Sequence, residues 1–149
     1  MKKFLIVLAV SYGLAGAPAQ AALKVFACEP EWGALATELG GDAVAVYTAT
    51  SARQDPHYIE ARPSLIARVR NADLVACTGA ELEDGWLPLL LRSAGNARVQ
   101  PGTPGYFAAA DYVRLLDVPA KLARAMGDIH AAGNPHLQPD PRNIARVAQ

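Results

Sequence analysis

Two cysteines, three histidines and no surplus of either charge are all that this chain of 149 residues offers, and each shortage removes a class of function. Cys28 and Cys77 alone do not make a disulfide scaffold. Lys and Arg total 14 and Asp and Glu total 14, so there is no basic excess of the kind that marks nucleic-acid partners. The apolar stretch Phe4 to Val10 is far short of the roughly 20 residues a membrane-spanning helix needs. Neither His-Glu-x-x-His nor Gly-x-Ser-x-Gly occurs, which takes away the usual signatures of metal-dependent and serine hydrolases. Internal repeats and low-complexity tracts are also missing.

What is present begins with an export signal. Lys2 and Lys3 form its positive end, Phe4 to Val10 its apolar stretch and Ala19-Gln20-Ala21 a small-residue cleavage site, which predicts a mature chain starting at Ala22. No cysteine stands at that point to take a lipid. Losing Lys2 and Lys3 leaves 12 basic against 14 acidic residues. With about half the residues apolar, the remainder suits one globular domain with an ordinary core.

The apolar pattern alternates between two periods. Leu23 to Cys28 predicts a strand, Pro30 opens a helix carrying Trp32, Leu35, Ala36 and Leu39, and Gly40-Gly41 stops it. Ala43 to Tyr47 predicts a second strand, and Pro63 opens a helix with the stripe Leu65, Ile66 and Val69. A third strand is expected over Asp73 to Cys77, then an apolar helix from Trp86 ending near Gly95-Asn96. Ala97 to Gln100 reads as a fourth strand and Tyr112 to Leu116 as another. Residues 117 to 138 show no clear period, and Asp140 caps a last helix with Pro141 in its first turn. The alternation predicts an α/β fold, a parallel sheet flanked by helices, with ligands gathered at the carboxyl ends of its strands. Cys28 and Cys77 then end the first and third strands, where they either form one bridge or remain buried thiols near that rim.

Two histidines directly follow prolines, in Gln54-Asp55-Pro56-His57 and Gly133-Asn134-Pro135-His136. Neutral imidazole is a common ligand for zinc and similar ions, and proline stiffens the backbone that presents it. His57 follows the second strand and belongs to the rim; His136 reaches it if the irregular segment returns there. His130 shares that segment and is a candidate substitute ligand. Glu60 is a candidate partner for the idle nitrogen of His57, the usual device for fixing a ligand's tautomer.

Asp55-Pro56-His57 with Glu60 and Pro63-Ser64, then Ala72-Asp73-Leu74, the Gly79 to Glu83 turn, Trp86, and Pro135-His136 before Asp140-Pro141, together resemble the zinc and manganese ABC-transporter solute-binding proteins. The resemblance spans essentially the whole mature chain. It implies that residues 22–138 form an amino-terminal metal-binding lobe contributing His57 and His136, and that residues 139–149 begin the helix leading to a second lobe. Further implications are a periplasmic, monomeric protein without enzymatic activity, a Zn²⁺ cargo with Mn²⁺ as the alternative, and a membrane permease as partner. The competing expectations are a metal-dependent hydrolase, in which an open histidine site activates water, and a single-lobe metal buffer or chaperone.

Overall fold

The computed structural model describes residues 21–121 and 130–149; the expected signal over residues 1–21 thus lies outside them except for its last residue. The element order is β1 (Leu23–Ala27), α1 (Pro30–Gly40), β2 (Val44–Thr48), α2 (Pro63–Arg70), β3 (Leu74–Cys77), α3 (Leu87–Ala94), β4 (Tyr106–Ala108) and α4 (Pro141–Val147). All strand pairs are parallel, in the order β2-β1-β3-β4.

That order follows from two crossovers running in opposite directions. The connection through α1 carries the chain from β1 to one side, and the connection through α2 carries it back past β1 to β3. With right-handed crossovers the two helices fall on opposite faces of the sheet. The side chains obey the two-residue period of a strand: Val25, Ala27 and Ala76 enter the core with Trp32 of α1, whereas Phe26, Cys28, Val75 and Cys77 enter the core with Leu65, Val69, Leu90 and Leu91 of α2 and α3. The chain reverses its direction of travel between β1 and β3, and parallel sheets receive ligands at the carboxyl ends of the strands beside such a switch. Cys28 and Cys77 stand at those two strand ends.

The helix boundaries match the sequence signals. Among the described residues, proline occupies the first turn of each α-helix. Gly95 ends α3 in the left-handed conformation, and the Asp140 side chain accepts from the Arg142 amide at the start of α4.

Two strands were expected elsewhere. Ala97–Val99 is a 3-10 turn instead of a strand, because the Asn96 side chain accepts from the Arg98 amide and donates to the carbonyls of Val69 and Ala72, so that Val99 is buried from a turn. The edge strand beside β3 is β4, directly after the Pro101 to Gly105 cluster. Gly105 makes this possible: a Cβ there would stand 2.8 Å from the Asp73 carbonyl, and its own carbonyl accepts from Val75. Tyr112 to Leu116 forms no strand either. Ala109–Tyr112 is another 3-10 turn, drawn in by fully buried Ala109.

Candidate metal centre at the carboxyl rim

The loop after β2 and the segment before α4 meet at the rim. Both carry the same local device, and it is more than a proline before a histidine. Asp55 Oδ1 accepts from the His57 amide at 3.0 Å, and Asn134 Oδ1 accepts from the His136 amide at 3.0 Å. Each Asx-Pro-His tripeptide therefore closes a turn through its first side chain, with proline fixing the middle φ. His136 is exposed, and its ring centre lies 5.8 Å from that of His57.

His57 is oriented further by its own ring. Nδ1 lies 2.7 Å from Asp55 Oδ1. Hydrogen bonds from the His57 backbone and side chain hold the Asp55 carboxyl below its usual range, so it is ionised and can only accept. The proton sits on Nδ1, and Nε2 is left with a lone pair pointing outward. The expected partner, Glu60, does not make this contact. It is exposed, three residues beyond the histidine, whereas Asp55 is placed by the Asx turn to reach both the amide and the ring.

His57 Nε2 faces His130 Nε2 at 3.1 Å, and the two rings lie 27° from parallel. Both side chains are mostly shielded, 20 % and 14 % exposed. Two imidazoles on one tetrahedral zinc, each at about 2.0–2.1 Å, hold their nitrogens about 3.3 Å apart. The observed spacing is close to that. His130 is also close to an acidic group: Glu81 Oε2 is 3.9 Å from its Nδ1 and accepts from the Ala131 amide at 2.6 Å.

The His57 loop rests on α3's leading turn. Trp86, 1 % exposed, donates from Nε1 to the Pro56 carbonyl at 2.8 Å, and a Cβ on Gly85 would stand 2.8 Å from the His57 carbonyl. Beneath the rim lies a polar floor. Thr78 Oγ1 accepts from Trp32 Nε1 and Gln138 Nε2 and donates to Glu29 Oε2. Glu83 accepts from the amides of Thr78 and Gly79. Burial, then the neighbouring Glu83 charge, pushes the Glu29 carboxyl up to about 9. Burial likewise raises Glu83, opposed by the amides it binds. Glu29 Oε1 is buried and accepts nothing. A proton on Glu29 accounts for two neighbouring buried carboxyls: the pair carries one charge.

Cys28 and Cys77 form a disulfide across β1 and β3, with Cα atoms 4.8 Å apart. Both are fully buried.

Sequence reasoning brought His57, His136 and His130 into view but missed Asp55, Glu81 and the support from Gly85 and Trp86. Asp55 was legible in hindsight, since an Asp two residues before an amide is the standard Asx-turn acceptor. Glu81 was not, because its partner is 50 residues away.

Comparison with known proteins agrees with this architecture. The chain is 28% identical over 112 residues to the iron ABC transporter substrate-binding lipoprotein MtsA of Streptococcus pyogenes, covering 73% of this chain and 35% of the relative. It is 27% identical over 127 residues to the manganese ABC transporter substrate-binding lipoprotein PsaA of Streptococcus pneumoniae, covering 83% and 40%. This chain thus spans about two fifths or less of the length of these curated relatives. Among solved structures, a zinc-bound ZnuA deletion mutant superimposes with a TM-score of 0.64 at 23% identity, over 85% of this chain and 43% of that one. A manganese-bound periplasmic metal-binding protein from Candidatus Liberibacter asiaticus gives 0.62 at 21% identity, over 85% and 41%. Residues 25–149 match the family of the periplasmic zinc-uptake complex component A, ZnuA, and the chain belongs to that family.

Proposed function

We propose that this chain is the amino-terminal lobe of a periplasmic solute-binding protein, a carrier and not an enzyme, that captures zinc and presents it to an ABC-transporter permease. The observation that carries the reading is the pair of facing nitrogens, His57 Nε2 and His130 Nε2, 3.1 Å apart beside His136. An ion entering between them would replace their mutual contact. His57 needs no change, because Asp55 already holds its proton on Nδ1; His130 would shift its proton to Nδ1, on the Glu81 side.

Three nitrogen donors favour zinc over manganese, which prefers oxygen ligands. On this reading residues 22–138 form the lobe and residues 139–149 start the connecting helix. A carboxylate or a further histidine from a second lobe would complete the coordination and cover exposed His136. Export with removal of residues 1–21 belongs to the same proposal, as does action as a monomer.

Titration calorimetry on the mature chain, with zinc and manganese in turn, tests this. Zinc should bind about tenfold or more tighter than manganese. Absence of zinc binding, or zinc binding unaltered in His57→Ala, overturns the proposal.

A further inference from the structure

Below the histidines the structure holds a second set of potential ligands. Among the described residues, one ligand atom each from Cys28, Cys77 and Glu83 lies within 4.8 Å of the other two, and all three residues are buried. We propose that reductive cleavage of the Cys28–Cys77 bridge turns this cluster into a second metal site, in which two thiolates and the Glu83 carboxylate hold a soft divalent cation such as zinc or cadmium.

Three observations support it. The bridge joins β1 and β3 at their carboxyl ends, the place where a parallel sheet of this order receives ligands. Separation of the sulfurs would give an ion thiolate ligands at about 2.3 Å without moving either strand far. Glu83 is held by the amides of Thr78 and Gly79, so its carboxylate is oriented before any ion arrives. The third observation is Glu29, next in sequence to Cys28 and 3 % exposed, whose Oε1 is buried and has no hydrogen-bond partner. An unpaired buried oxygen beside a potential ligand is a fourth donor in waiting.

The route in is the turn after β3. Gly79, Ala80 and Glu81 all have positive φ, of 77°, 50° and 69°. Two of them carry side chains that disfavour this conformation, so the turn that begins two residues after Cys77 is strained and suited to open.

The chemistry balances with a dithiol as reductant. Its thiolate attacks one bridge sulfur, a mixed disulfide forms, and its second thiol resolves it. The dithiol leaves oxidised to a disulfide, and the protein gains two electrons and two protons as Cys28 and Cys77 thiols. Cation binding then releases those two protons to water.

This site is independent of the histidine centre, and the test keeps the two apart. Mature protein is reduced with a dithiol, freed of reductant under anaerobic conditions and titrated with cadmium alone. One equivalent should produce a sulfur-to-cadmium charge-transfer band, protect two thiols from alkylation and raise the thermal midpoint. The band should persist when His57, His130 and His136 are all replaced by alanine, and vanish in Cys77→Ser. Glu83→Gln should weaken cadmium binding by about tenfold or more. Cadmium-edge X-ray absorption on reduced wild-type protein should find two sulfurs with at least one oxygen, which removes dependence on how well that variant folds. Free, alkylatable thiols at one equivalent of cadmium overturn the proposal. So does sulfur coordination without oxygen, or undiminished affinity in a folded Glu83→Gln.

Discussion

His57 and His130, 73 residues apart in sequence, present their Nε2 atoms to each other at 3.1 Å while Asp55 holds the far nitrogen of His57. One ring must act as donor and the other as acceptor. Since Asp55 keeps the proton of His57 on Nδ1, His57 is the acceptor and His130 the donor.

This arrangement predicts that His130 matters as much as His57. His57→Ala and His130→Ala should each lower zinc affinity by about tenfold or more, with His136→Ala close behind. Calorimetry on the three variants checks it. Full affinity in His130→Ala would reduce that residue to a neighbour of the site.

Asp55→Ala should lower zinc affinity by about 10- to 100-fold, because it releases both the ring and the amide of His57. Glu60→Ala should leave affinity near wild type. A larger loss at Glu60 than at Asp55 would reverse the assignment.

Trp86→Phe removes the donor to the Pro56 carbonyl while keeping an aromatic ring in the core. It should cost about 1 kcal/mol of stability, measured by urea unfolding, and weaken zinc binding through the His57 loop. Gly85→Ala should disturb the same loop through contact with the His57 carbonyl.

The disulfide closes a sequence separation of 49 residues, and the chain-entropy relation gives about 4 kcal/mol for such a loop. The Cys28→Ala/Cys77→Ala double variant should lose up to about that much in denaturant titration. No measurable loss would mean that the bridge does not constrain the unfolded chain.

Glu29 provides the pH dependence. Its carboxyl rises from an ordinary 4.5 to about 9 in the fold, so between those values the folded chain keeps a proton that the unfolded chain gives up. Stability from this group is complete below about 4.5 and is lost as pH climbs to about 9. Glu29→Gln keeps a neutral donor towards Glu83 and should flatten that decline, leaving the variant about 1–3 kcal/mol more stable than wild type in mild alkali. Urea unfolding at about pH 5, 7 and 9 reads the difference; an equally steep decline in the variant would show that Glu29 is not its source.

Local and periodic information was enough for much of this protein. The short apolar runs Val25 to Cys28 and Val75 to Cys77, the prolines opening the helices and the Gly40-Gly41 and Gly95 stops each act within a few residues, and β1 to β3 and the helices α1 to α4 lie where those signals put them. The two Pro-His segments also announced themselves, since an Asx-Pro turn is made by consecutive residues. Tertiary structure decided the rest. Ala97 to Gln100 had strand character, but Asn96 had carbonyls of α2 and its following turn to bind, and the edge fell to β4 behind Gly105. Strand order, a non-local property, put Cys28 beside Cys77. His130 gained its role because Glu81 holds the Ala131 amide from 50 residues away. A sequence carries the propensity of each segment, whereas such pairings depend on which distant segments the closed sheet brings to one rim.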